Sequence, residues 1–340
     1  MSNLRKPSRP QQRMNRFVPQ LEAFEDRNCP SFVAVQGHTL LVIGDSSANT
    51  ISIMDSGNGM VTGTIDGQSA TGTAIHNVVV HAGAGDDTLT YTLTSALTTS
   101  EHLQINMGSG MDTATLDFSP GVTSAHLSVD FTGNKGDDTL TTMLGPVMDS
   151  RVGFRANLGK GADTFDGTLL GNIMGDSAVR FLVEGGKGAD TLGFHAASTN
   201  IDSGASLNVN LSGGKGDDTI NFDYTGQVNG RLRLNADGGK GNDTINAMAT
   251  LNAGSTGEFL GNVKGGHGTN NLTFNVLDNS GGMADVDAFL FTHAGDTVTN
   301  TSNVVVVQPH ADHGDHGDQG NQDQGNHGNQ GNQGNQGNQD

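Results

Sequence analysis

The chain has 340 residues, enough for one elongated domain or two small ones, and its 51 glycines, two tyrosines and absence of tryptophan argue against a conventional core of large side chains. The single cysteine, Cys29, excludes an internal disulfide framework. The formal net charge of −19 is unevenly spread: six of the 17 basic residues lie in the first 30 positions, which leaves a strongly acidic body that repels nucleic acid and anionic membrane surfaces and attracts cations.

Residues 1–30 form a basic, polar arm (Arg5, Lys6, Arg9, Arg13, Arg16, Arg27) predicted to be disordered. The arm runs into Arg16-Phe17-Val18-Pro19-Gln20-Leu21-Glu22, too polar for the apolar core of a secretory signal, and no stretch of the chain is long and apolar enough for a membrane span. Residues 31–75 read as short capping strands: Phe32-Val33-Ala34-Val35, Thr39-Leu40-Leu41-Val42-Ile43 and Thr50-Ile51-Ser52-Ile53. Residues 76–276 carry an internal repeat. Residues 277–308, with Val304-Val305-Val306-Val307, read as an irregular closing cap, and residues 309–340 as a low-complexity tail of Gly, Asn, Gln, His and Asp that buries nothing. His310, His313, His316 and His327 lie in that tail beside Asp312, Asp315, Asp318 and Asp323, a composition that suits Zn²⁺ or Ni²⁺.

The repeat fixes the architecture. Seven glycine-rich copies end in Asp-Thr, the aspartates being Asp87, Asp112, Asp138, Asp163, Asp190, Asp218 and Asp243, and an eighth copy ends in Asn270-Asn271. In the third copy Asn134 replaces the leading glycine. Period-2 apolar patterns flank the copies, such as Leu207, Val209 and Leu211 before one and Ile220, Phe222 and Tyr224 after it. One such unit cannot bury its apolar face alone, so the units must stack. The expectation is an all-β, parallel β-solenoid of about 7–9 turns. Degenerate turns cap its ends, one of them holding Gly44-Asp45-Ser46-Ser47-Ala48-Asn49-Thr50.

The pattern Gly-Gly-x-Gly-x-Asp-x-apolar-x resembles the RTX-type, haemolysin-like calcium-binding repeat. Residues 185–193, 213–221 and 238–246 match it at every defined position. The resemblance implies a β-roll-like coil whose aspartates hold Ca²⁺ between turns. It points to Asp87, Asp112, Asp138, Asp163, Asp190, Asp218 and Asp243, to which the adjoining Asp86, Asp137 and Asp217 are added as candidate metal ligands. The chain departs from that family in carrying one motif per turn, so a single row of ions is expected. A second resemblance lies in Pro19-Gln20-Leu21-Glu22-Ala23-Phe24-Glu25-Asp26-Arg27-Asn28-Cys29-Pro30-Ser31, similar to a motif that begins many exported, repeat-rich bacterial proteins. It implies an extracellular or cell-surface location.

Stacking puts like residues in register, and two carboxylates about 5 Å apart repel by roughly 0.8 kcal/mol in water and about 3 kcal/mol at an effective dielectric of 20. Three things can compensate: Ca²⁺, the lysines that stand three residues before five of the aspartates (Lys135, Lys160, Lys187, Lys215, Lys240), or turn amides donating to the carboxylates. The first two copies lack the lysine and are the preferred calcium sites. The threonine after each aspartate forms a further file, which suits ordered ice or a crystalline glycan. No nucleophile motif, phosphate loop or Cys/His metal signature occurs, and the arginines beyond the arm keep no evident company with His or Tyr. The leading expectation is therefore an exported, non-catalytic, calcium-binding structural or adhesive protein, with surface polysaccharide or another surface protein as partner. The alternative is a polysaccharide lyase or epimerase on a β-helix.

Overall fold

The computed structural model describes residues 30–308. The basic arm, all but the last two residues of the export motif, and the His-containing tail lie outside the described residues.

Within them the protein is all-β, a parallel β-solenoid of about nine turns. No helix is long and apolar enough to cross a membrane among the described residues. Two 12-stranded sheets face each other. The first carries the strands that enter each glycine-rich corner: Asn77–Ala84, Glu101–Ser109, His126–Lys135, Arg151–Lys160, Ala178–Lys187, Ser206–Lys215, Arg231–Lys240 and Glu258–His267. The second carries the strands that leave it: Thr88–Leu93, Thr113–Phe118, Thr139–Leu144, Thr164–Leu169, Thr191–Ala197, Thr219–Gly226, Thr244–Leu251 and Asn271–Asp278. Pairing is parallel and in motif register, with Lys160 opposite Lys187 in the first sheet and Thr164 opposite Thr191 in the second.

Alternation decides which residues fill the space between the sheets. In Ser206–Lys215, Leu207, Val209 and Leu211 point inward, and in Thr219–Gly226 so do Ile220, Phe222 and Tyr224. Each column of inward residues continues through neighbouring turns, so one narrow core runs the length of the coil. Its centre is a chain of rings from Tyr91 through Phe118, Phe154, Phe181 and Phe194 to Phe222, with centroids 4.6–6.0 Å apart.

Two features go beyond the sequence reading. The variable loops of six consecutive turns each contribute one buried aliphatic residue, and these stack as a third, narrow side: Leu97, Val122, Val147, Ile173, Ile201 and Val228. Parallel pairing also extends past the limits of 76 and 276. Thr39–Ile43 and Thr50–Asp55 pair in parallel with the first repeat strands, and Asp285–Phe291, Thr297–Thr299 and Val306–Val307 add to the far end. Antiparallel hairpins close the N-terminal end: Phe32–Gln36 returns on Thr39–Ile43, and Val61–Ile65 with Gln68–Gly72 folds back on Thr50–Asp55. They turn the first coil's open edges into hairpins.

The candidate site in the glycine corner

The corner must bring two chains of backbone very close together, and glycine permits it. Gly188 has φ +129°, and a Cβ built there would lie 1.7 Å from the carbonyl oxygen of Gly161 in the preceding turn. No L side chain fits. The packing is instead Cα–H against C=O, a weak hydrogen-bond geometry that recurs at every turn. Two residues earlier in the motif, where Gly108 and Gly159 have φ +104° and +114°, Asn134 has φ +80°, a positive value that asparagine tolerates better than most residues.

Past this close approach the chain turns the repeat aspartate inward. Asp87, Asp112, Asp138, Asp163, Asp190, Asp218 and Asp243 are each 1–2% exposed. The Oδ1 of each accepts the main-chain N–H of the equivalent residue in the preceding turn. Asp87 N–H donates to Asp112, Asp112 to Asp138, Asp138 to Asp163, Asp163 to Asp190, Asp190 to Asp218 and Asp218 to Asp243, all at 2.8–2.9 Å. Asparagines and one further aspartate extend the file at its ends. Asn49 N–H donates to Asp87, Asp243 N–H to Asn270 Oδ1 and Asn270 N–H to Asp296. The carbonyl of each repeat aspartate up to Asp218 accepts the N–H of the threonine one turn later, as Thr164 N–H does to Asp138 O at 2.7 Å, and Asp243 O accepts that of Asn271. Every turn is thus tied to the next in both directions.

The other candidate ligands stand apart from this file. Asp86, Asp137 and Asp217 are exposed, and their Oδ1 atoms accept amides of the following turn, from Met111, Ala162 and Asn242 at 2.7–2.8 Å. The ten candidate aspartates therefore form an inner file of seven and an outer set of three, and adjacent aspartates such as Asp86 and Asp87 do not share a site. The expected lysine counter-ions are not there either. Lys135, Lys160, Lys187, Lys215 and Lys240 are exposed and in register, and among the described residues the one lysine in an ion pair is Lys264, with Asp237.

Each inner carboxyl keeps its second oxygen, Oδ2, buried without a partner. Burial pushes these carboxyls above the ordinary aspartate range, against the opposing pull of the amide hydrogen bond. Asp87 and Asp163 rise to about 6 and Asp138 and Asp218 to about 7, with neighbouring carboxylates adding to the rise. Asp112, Asp190 and Asp243 move the same way. The glycine that opens the motif gives the orphan oxygen its room: a Cβ on Gly185, Gly213 or Gly238 would lie 2.4–2.5 Å from the Oδ2 of its own turn's aspartate. An orphaned carboxylate oxygen suits either a proton or a hard cation. A complete calcium shell needs six to eight oxygens, and nowhere among the described residues do three His, Cys, Asp or Glu side chains converge as a metal site.

The threonine file lies on the outer face of the second sheet, in unbroken register from Thr50 through Thr88, Thr113, Thr139, Thr164, Thr191, Thr219 and Thr244 to Asn271 and Thr297. Thr90, Thr115 and Thr141 make a second, shorter file beside it.

Two titratable groups of residues escaped the sequence reading. Near the N-terminal end, the hydroxyl of buried Tyr91 lies 2.7 Å from Asp55 Oδ2 and 3.1 Å from Glu101 Oε2. Burial, then the hydrogen bond and charge of Asp55, push Glu101 up to about 9, so it holds a proton at neutral pH. Both tyrosines of the chain are interior, Tyr224 donating to Thr199 O at 2.8 Å, so neither offers a surface base. On the loop side, an open groove of about 350 Å³ gathers His126, Asp149, Arg151 and Asp176. Arg151 does keep company with a histidine: it is the register partner of His126, 25 residues earlier and one turn away. No alternation links such residues; only the repeat length does.

Comparison with family models, curated proteins and solved structures gives no significant match to this chain.

Proposed function

We propose that this solenoid is a structural or adhesive rod, exported to the cell surface or matrix, which performs no catalysis. The observation that carries the reading is the continuous hydrogen-bonded file from Asn49 to Asp296, which ties the coil from one end to the other and leaves long in-register files of side chains on its faces. Such a build suits a rigid spacer that meets a repeating partner. Fractionation of the source cells with an antibody to the chain tests it. Recovery in the surface or matrix fraction is expected, and an exclusively cytosolic pool would overturn it.

Calcium is a second component of this reading, supported by the seven orphaned Oδ2 atoms. If the inner file takes Ca²⁺, titration calorimetry at pH 8 shows saturable heat, and a chelator lowers the melting temperature. Absence of both leaves the amide hydrogen bonds and protons as the whole account of the file. The lyase or epimerase alternative finds its support in the groove of His126, Arg151, Asp149 and Asp176, where a base and a cation stand together. Release of new chain ends from acidic polysaccharide, lost in His126→Ala, would favour it over the non-catalytic reading.

A further inference from the structure

All eleven Lys and Arg residues among the described residues lie on six consecutive strands of the first sheet, from His126–Lys135 to Glu258–His267. Those six strands hold only four acidic residues: Asp130, Glu184, Asp237 and Glu258. The strands of the second sheet hold no Lys or Arg at all. A molecule of net charge −19 has thus placed every fixed positive charge of its body on one side.

The most regular part of that side is the corner file Lys135, Lys160, Lys187, Lys215 and Lys240. It places one ammonium per turn, about 4.8 Å apart, over about 20 Å of the coil axis. Among the described residues none of the five has an ion-pair partner, whereas Arg155, Arg231, Arg233 and Lys264 do. Uncompensated like charges held in register repel one another, and no fold element requires them there. Beside the file lies a shallow groove of about 360 Å³, where Thr132, Asn134 and Asn157 supply hydroxyl and amide groups and Gly159 and Gly186 leave space. Next to it the outer asparagines of the sheet form a hydrogen-bonded ladder, Asn262 to Asn235 to Asn210 at 2.8–3.0 Å.

We propose that this lysine file binds a linear acidic polysaccharide, laid along the coil axis with one anionic group meeting each turn. The spacing of the charges is that of stacked strands, comparable to the length of one pyranose unit. The neighbouring amides and hydroxyls suit sugar hydroxyls. A single-stranded nucleic acid would call for aromatic rings on which bases stack, and the outer positions of these strands carry no Phe, Tyr or Trp. The proposal rests on the adhesive reading above and names the partner class.

The test uses the full chain in EDTA, so that calcium bridges play no part, and sodium polygalacturonate as probe. The methyl-esterified polymer, neutral dextran and a single-stranded oligonucleotide serve as comparisons. Affinity for polygalacturonate is expected to fall steeply with salt and at least tenfold in the triple variant Lys160→Gln, Lys187→Gln, Lys215→Gln. Circular dichroism of the variant is expected to be unchanged. Adding Thr141→Lys, Thr164→Lys and Thr191→Lys to that variant restores the net charge on the other sheet and is expected not to restore binding. Equal binding by parent and triple variant, equal binding of the esterified polymer, or rescue by the transposed lysines would overturn the assignment. An oligonucleotide held as tightly through the same lysines would also overturn it, in favour of nucleic acid. Retention on neutral dextran independent of the lysines would remove this face and spare the adhesive reading; no retention on any polymer would remove both.

Discussion

The carboxyl of Asp163 does two opposed things. Its Oδ1 satisfies a buried amide, that of Asp138, while its Oδ2 sits buried without a partner. The first is stabilising and the second costly. Asn270 occupies the same position four motifs further on and makes the same bond through its amide oxygen. Asp163→Asn is therefore expected to melt within a few degrees of the parent at neutral pH. Asp163→Ala orphans the Asp138 amide and is expected to lose about 1–3 kcal/mol in denaturant unfolding. Equal losses in the two variants would mean that the carboxylate's charge, and not its hydrogen bond, matters. At the other buried cluster, Tyr91→Phe removes the donor shared by Asp55 and Glu101. It is expected to cost a similar amount by the same measurement.

At the scale of the strand and corner, the glycines separate into those the stack requires and those it does not. Gly188→Ala puts a methyl against Gly161 O and forces a left-handed backbone on alanine, the backbone term alone being about 1–3 kcal/mol. Gly153 has nothing within 4 Å of its Cβ position, and Gly153→Ala is expected to be neutral or slightly stabilising. Comparing the two by thermal melting checks the corner geometry without touching a charge. This scale is also where the sequence was most readable. Alternation places Leu207, Val209 and Leu211 in the core, where the structure has them. The third side was not readable, because a lone Val147 or Ile173 in a polar loop has no periodicity of its own and gains meaning only from its neighbours a turn away. The same holds for Asp86 beside Asp87: the two are adjacent in sequence, and only the backbone direction at the corner decides which is buried. The lysines form the file that stacking implies, and of the three possible compensations it is the turn amides that reach the carboxylates, since sequence separation does not say which side of the corner a residue takes.

For the whole molecule, the inner file makes stability depend on pH with a definite sign. The ordinary aspartate value is 3.8, and four of the file's carboxyls lie at about 6–7 in the folded chain. Between those values the folded state holds protons that the unfolded state has lost, so unfolding free energy falls as pH rises from about 4 to about 7. Glu101, raised to about 9, extends the decline beyond neutrality. The metal-free chain is thus expected to melt higher at pH 5 than at pH 8. General relief of the acidic net charge acts in the same direction, so variants must separate the two. The double variant Asp138→Asn, Asp218→Asn is expected to flatten the profile, and the exposed Asp285→Asn is not. A melting temperature that rises with pH would contradict the protonated file.

The central claim is that the carboxyl of each turn holds the amide of the turn before it, making one continuous spine. Residue-resolved hydrogen exchange of the full chain in chelator at pH 6 tests this most directly. The account predicts that the amides of Asn49, Asp87, Asp112, Asp138, Asp163, Asp190, Asp218 and Asp243 are among the slowest to exchange, as slow as those of the neighbouring strands, although they sit in turns. Exchange of these amides at the rate of open loops, while the strands beside them stay protected, would contradict it.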